Sequence, residues 1–216
     1  MPEKSIILYG GGSSLIVEYE EVCRQNNTRI AAIVNNLKGM PCHALSNALQ
    51  IKPDALSAIN SSKFICPLFT PVNRHKATQE AIFYGLTPWP VLIAKSCLLP
   101  LHFVVGDGSF INRGVIIGAA TQLGSHVLIN RGAALGHHLQ TGNFVSVGPG
   151  VICGGHVTIA EGALVGTGSV ILPKIRIGKH SIIGAGSMVT KNVNDYAVVM
   201  GNPARKIREN DNFFND

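Results

Sequence analysis

A chain of 216 residues can bury a real core, as one large domain or two small ones. With 46% hydrophobic and only 14% charged residues it is not a disordered chain, and so sparse a surface suggests cover by other subunits. The net charge of +6 is scattered and aromatics are 6%. That argues against a nucleic-acid binder and fits small anionic ligands or simple solubility equally well.

In chain order, the opening MPEKSIILYGGG has too short an apolar run for a signal peptide, and no segment approaches a membrane span; a cytoplasmic protein is expected. Residues 4–9 read as a short buried strand. Gly10, Gly11, Gly12, Ser13 and Ser14 follow, then a helical stretch LIVEYEEVCRQNN and a second strand over 29–34 that ends in Asn35 and Asn36. This βαβ opening offers the free N–H groups of a helix N-terminus to an anion. It lacks the letters of GxGxxG and ends in Asn instead of an acid, so a plain glycine turn is the competing reading. KFICPLF reads as a third strand and 72–84 as a helix, after which Pro88 and Pro90 lead towards a domain boundary near residue 95. The five cysteines (Cys23, Cys42, Cys66, Cys97, Cys153) lack CxxC spacing, and neither a disulfide framework nor a metal site is expected.

From Val105 the chain repeats every six residues. Ile111, Ile117, Leu123, Ile129 and Leu135 begin a series of fifteen hexads ending at Val189, broken only by Thr141 and Cys153. The next position is nearly always small or turn-compatible, as at Gly106, Asn112, Gly118, Gly124, Asn130 and Gly136, and three residues further come small or β-branched side chains. One short strand per hexad and three hexads per turn make a triangular coil, with residues eighteen apart stacked and the aliphatics inside. Glycine at the corners is expected to relieve unusual dihedrals. The hexad breaks at Val193, and a tail containing VVMGNPARKI is expected to fray. The fold class is therefore an α/β Rossmann-like domain (1–94), an all-β left-handed parallel β-helix (95–193) and a C-terminal tail (194–216).

His137, with His138 behind it, sits where most hexads carry a small or polar residue. Gly155 is eighteen residues on and stacks one coil above, and Ser146 is half a coil round. A histidine suits a general base near neutral pH, and a backbone N–H suits an oxyanion. Two histidines decorating a solvated turn would look the same.

The stretch INRGAALGHHLQTGNFVSVGPGVICGGHVTIAEGALVG resembles the core of bacterial sugar acetyltransferases: the sialic acid O-acetyltransferases and the N-acetyltransferases of UDP-4-amino-sugars. The resemblance implies a homotrimer with active sites between neighbouring helices, using acetyl-CoA and a sugar or nucleotide-sugar acceptor, with no metal. His137 falls on the catalytic base, Asn130 on an asparagine near it, and Gly155 on the glycine whose amide faces the thioester oxygen. His138 replaces the family's acid and Ser146 its second histidine. The resemblance further implies CoA along Ser146, Gly155, Gly166, Gly184, Gly201, Asn202, Pro203 and Lys206. The sugar nucleotide would lie at Gly10, Gly12, Ser13, Ser14, Asn35 and Asn36; Ser14 and Ile16 stand where the family has His and Lys.

Two other classes compete. A zinc hydratase of the carbonic anhydrase type, also built on this helix, would pair His102 with His138, but the partner five residues beyond is Asn143, and no recognised spacing links His126, His156 or His180. A β-helix kept for binding or assembly is the non-enzymatic alternative. Within the enzyme reading an amine acceptor on a nucleotide sugar leads, with the hydroxyl of a sialic acid or surface-polysaccharide sugar as the alternative.

Overall fold

The computed structural model describes residues 4–37 and 41–214. The N-terminal part comprises β1 (Ser5–Tyr9), α1 (Ile16–Gln25), β2 (Arg29–Val34), β3 (Gln50–Ile51), β4 (Lys63–Ile65), α2 (Pro71–Phe83) and β5 (Thr87–Pro88). Its strands pair in parallel in the order β3-β2-β1-β4-β5. Both faces of β1 are covered, which is why its sequence is an unbroken apolar run. Ile6 and Leu8 pack with Ile16, Tyr19 and Val22 of α1, and Ile7 and Tyr9 pack with Ala77 and Ala81 of α2. The strand order reverses between β1 and β4, which opens a crevice at their carboxyl ends.

The helices lie within two residues of their expected ends. The strand expected across 63–69 stops at Ile65, because Pro67 cannot donate to a ladder and the chain turns into α2. The two-residue β3 was not expected.

β6 (Val91–Ile93) precedes the boundary expected near 95 yet already belongs to the β-helix. Its three residues pair in parallel with Ser109, Phe110 and Ile111 and so close the first backbone edge of that sheet. Beyond it the chain winds through three parallel faces. The first contains Val104–Val105, Gln122–Leu123, Gln140–Thr141, Thr158–Ile159 and Arg176–Ile177. The second contains β6, Ser109–Ile111, Leu128–Ile129, Ser146–Val147, Leu164–Val165 and Ile182–Ile183. The third contains Ile116–Ile117, Ala134–Leu135, Ile152–Cys153, Val170–Ile171 and Met188–Val189. Partners are eighteen residues apart throughout, as in Leu128↔Ser146↔Leu164.

Each hexad buries two positions: the aliphatic one (Ile129, Leu135) and the one four residues on (Ala133, Leu139). The reason for the corner glycines differs from the expected one. Left-handed φ falls two residues later, on Gly108, Gly114, Ala120, His126, His138 and their successors. Gly118 and Gly136 are glycine because a Cβ there would lie 2.4 Å from His137 N and 2.5 Å from Gly154 C, inside the backbone of the next coil.

The tail does not fray. Ala197–Gly201 adds a parallel strand to the second face and turns back on Ala204–Glu209. Asn210 Nδ2 then donates to His180 O at 2.7 Å, and Phe214 is buried against Val72 and Phe144. These apolar contacts outweigh the polar composition of the last residues.

Arg74 of α2 locks the two parts together while 1% exposed. It donates to the carbonyls of Leu68 (2.6 Å), Phe69 (3.0 Å), His126 (2.9 Å), Phe144 (2.9 Å) and Val145 (3.1 Å), and to Ser146 Oγ (2.9 Å). Burial brings its pKa down to about 10, so it stays charged at neutral pH.

Candidate functional site

Two places gather the predicted residues. One is the exposed corner where the chain leaves the third face for the first. Gly136 lets the chain pass under the next coil, and His137 and His138 then stand in solvent. The imidazole of His137 lies over Gly155: a Cβ on that glycine would sit 2.5 Å from His137 Nε2, so only glycine leaves room for the ring. His137 Nδ1 and His138 Nδ1 are 3.0 Å apart, so one donates its proton to the other. When His137 is the donor, its Nε2 carries the lone pair and faces the Gly155 side. Among the described residues the Gly155 N–H has no protein acceptor, which leaves it available to an oxyanion. A third ring, that of His156, stacks on His138 with centroids 4.7 Å apart, and the backbone N–H of His156 donates to His137 O at 2.9 Å. The expectation did not include His156; its eighteen-residue offset from His138 was the available signal.

The other place is a cavity of about 720 Å³ at the carboxyl ends of β1 and β4. Gly10, Gly12, Ser13, Ser14 and Asn36 line it, joined by Leu68, Phe69, Thr70 and the Asn73, Lys76 and Glu80 face of α2. Asn36 Nδ2 donates to Glu80 Oε2 at 2.6 Å. The polar face of α2 was missed, although residues 73, 76 and 80 have helical spacing. Asn35 does not line the cavity; its N–H closes the β2–β3 ladder on Ile51 O at 2.9 Å.

Several other expectations need correction. Ser146 is fully buried on the second face, with its Oγ accepting from Arg74 and donating to Phe69 O at 2.5 Å, so it cannot touch CoA. Asn130 is 4% exposed at a different corner, between the second and third faces. There its Oδ1 accepts from Asn112 Nδ2 at 2.9 Å and Arg131 N at 2.8 Å, so within one protomer it does not adjoin His137. Gly166 and Gly184 share Asn130's corner, where a Cβ would meet Ala185 N at 2.6 Å and Met200 Cβ at 2.8 Å. Gly201, Asn202 and Pro203 form the exposed hairpin turn, and Lys206 on the return strand pairs with Glu209. A single protomer therefore does not assemble the expected CoA path.

Four of the five cysteines are poor nucleophiles. Burial pushes the thiols of Cys23, Cys66 and Cys153 up to about 12 and raises that of Cys97. Among the described residues no helix is long and apolar enough to cross a membrane.

Residues 156–191 match the family model for the bacterial transferase hexapeptide (six repeats). Residues 156–191 thus carry the bacterial transferase hexapeptide repeat. The same register begins well before that segment, since its strand pairs run from Val104 to Val189. No curated protein matches the chain in sequence. In structure it is similar to a histidine-to-asparagine variant of perosamine N-acetyltransferase from Caulobacter crescentus, solved with CoA and GDP-perosamine (24% identity, TM-score 0.82, 97% of this chain and 99% of that one). It is similar to the acetyltransferase domain of PglB from Neisseria gonorrhoeae in complex with acetyl coenzyme A (22%, TM-score 0.83, 95% and 100%). WeeI from Acinetobacter baumannii is a further likeness (21%, TM-score 0.81, 94% and 100%). These likenesses span the N-terminal sheet and the hexapeptide helix together, and at such identity they establish the fold.

Proposed function

We propose that this protein transfers an acetyl group from acetyl-CoA to the amine of a nucleotide-linked sugar, with His137 as general base. The observation that carries the reading is the ring of His137 seated over Gly155, with Nδ1 held at 3.0 Å by His138 and an unengaged N–H beside it. The likeness to sugar N-acetyltransferases solved with CoA and a nucleotide sugar supports the same assignment. His137 Nε2 takes the proton of the acceptor amine, whose lone pair attacks the thioester carbonyl. The Gly155 N–H stabilises the tetrahedral oxyanion, and the C–S bond breaks to release CoA as the thiolate, which takes up a proton. Transfer is direct in a ternary complex, since the cluster at the His137 corner contains no cysteine to form an acyl-enzyme.

His138 positions the base. It replaces a carboxylate with a neutral acceptor, which fixes the tautomer of His137 but polarises it less. The N-terminal sheet acts as a Rossmann-like nucleotide site. Its cavity presents the Gly10–Ser14 turn and Lys76, which suit a diphosphate.

The left-handed helix assembles as a homotrimer through its third face. Outward residues there form an apolar ladder of Ile116, Ala134, Ile152, Val170 and Met188, with Ile116 48% and Ile152 52% exposed. The first face presents Val104 at its end and then the polar Gln122, Gln140, Thr158 and Arg176. Burying that ladder between protomers brings the Asn130 corner of one chain towards the His137 corner of the next, and completes the CoA path. Its use of acetyl-CoA fits a cytoplasmic enzyme.

The test is thiol release from acetyl-CoA against UDP-, dTDP- and GDP-linked amino sugars and against sialic acids. Release with an amino sugar that disappears in His137→Ala is expected. Release only with a hydroxyl acceptor moves the chain to O-acetylation, and absence of acetyl-CoA binding overturns the enzyme reading.

A further inference from the structure

The three histidines at the exposed corner each present a ring nitrogen, and these atoms lie within 4.8 Å of one another. We propose that His137, His138 and His156 form a binding site for a borderline divalent cation of the Zn²⁺ class, and that a bound cation switches the base off. Zinc bonds imidazole nitrogen at about 2.0–2.1 Å, so tetrahedral ligand atoms stand about 3.3 Å apart. The Nδ1 atoms of His137 and His138 are already 3.0 Å apart. The remaining approach falls to His156, whose exposed ring turns about two free torsions. Imidazole is a ligand type that zinc, nickel and copper favour over magnesium or calcium.

The backbone beneath the cluster is rigid. His138 and His156 occupy successive left-handed corner positions, at φ +57° and +59°, and His156 N donates to His137 O at 2.9 Å. The three Cα atoms are thus held by the coil repeat before any metal arrives, which lowers the ordering cost of binding. Lys174 continues the same column one coil on and places a cation nearby, and the cluster contains no carboxylate. The site is therefore weaker than a buried zinc centre and reversible. Three imidazoles leave a fourth position open to water or to a ligand thiol.

Binding uses the lone pairs of the neutral rings. A cation on the cluster therefore removes the Nε2 or Nδ1 function of His137 on which proton transfer depends. The binding claim stands apart from the acetyl-transfer reading; only its consequence for turnover rests on that reading.

The experiment is isothermal titration of Zn²⁺ into the untagged, EDTA-stripped full chain, without acetyl-CoA. One Zn²⁺ per chain with low-micromolar or tighter affinity is expected. His156→Asn should weaken binding by at least about tenfold, since losing a direct ligand costs no less than losing an outer-shell partner. Asparagine tolerates the left-handed corner, so this variant keeps the fold. His102→Asn, an exposed histidine elsewhere, should leave affinity unchanged. Absence of stoichiometric binding, or equal affinity in His156→Asn, overturns the proposal. If an acceptor has been found, Zn²⁺ should inhibit thiol release reversibly by EDTA; binding without inhibition keeps the site and removes the switch.

Discussion

Two corners of this β-helix carry histidines in the same left-handed conformation. Where the first face meets the second, His126 stacks on Phe144 with centroids 4.8 Å apart, and His180 meets Phe214 edge-on at 4.5 Å. His75 of α2 stacks on Phe214 at 4.1 Å, and Arg74 binds the carbonyls of His126 and Phe144. Where the third face meets the first, His138 and His156 stack on each other in solvent beside His137. The first set is sealed by an arginine, a helix and the returning tail; the second is left open. The same residue type on the same backbone does structural work in one place and stands ready for chemistry in the other.

The largest expected effect tests the sealed corner. Arg74→Met leaves several buried carbonyls and Ser146 Oγ without a donor and should cost about 3 kcal/mol or more of unfolding free energy, read by urea denaturation. A loss below about 1 kcal/mol would show that the corner does not depend on the arginine. His137→Ala is the opposite case: kcat/KM should fall by about 10²-fold or more, with the thermal midpoint unchanged. Near-normal turnover would remove the base from the open corner.

Phe214→Ala should cost about 2 kcal/mol, below a central core phenylalanine because it sits near the chain end, and should leave kcat/KM intact. A stability equal to the parent's would mean that the tail is a passenger. His138→Asp exchanges the neutral partner of His137 for a carboxylate, and Asp tolerates the corner. It should raise kcat/KM by roughly severalfold, up to tenfold; a fall would show that the histidine pair is needed as such.

The most gradual effect is with pH. Burial, then the charges of Arg74 and His75, depress His126 to about 4 from an ordinary value of 6.5. Between those values the unfolded chain binds the proton and the folded chain does not, so stability is complete above pH 6.5 and declines as pH falls towards 4. The slope is at most about 1.4 kcal/mol per pH unit. His126→Phe, which the corner should accept because Phe144 already holds the same conformation, should flatten that decline. An unaltered slope would place the titrating group elsewhere.

The hexad period made the coil, its core and the stacking of His137 over Gly155 legible, because a repeat converts sequence distance directly into height along the helix axis. The N-terminal turn was legible too, since Gly10 to Ser14 separate an apolar strand run from a helical one, and Gly10 takes φ +118° there. Ser146 was misplaced because the repeat fixes which corner or face a residue occupies but not what covers it, and α2 with Arg74 covers Ser146. Asn130 was set beside His137 by the resemblance, although the repeat puts it one corner earlier within the same chain. The tail was misread because its fate rests on two phenylalanines finding a groove far away in sequence. His156 was set aside for want of a recognised metal spacing, because it becomes a neighbour of His138 only when the eighteen-residue step is applied to side chains as well as to the core.

The sequence by itself determined the triangular coil, since aliphatic residues at a period of six have only one common interior. Only the tertiary structure decided which histidines are buried and which are offered to solvent. That depends on which faces the N-terminal sheet, α2 and the tail cover, and those contacts join residues tens of positions apart that no local period records.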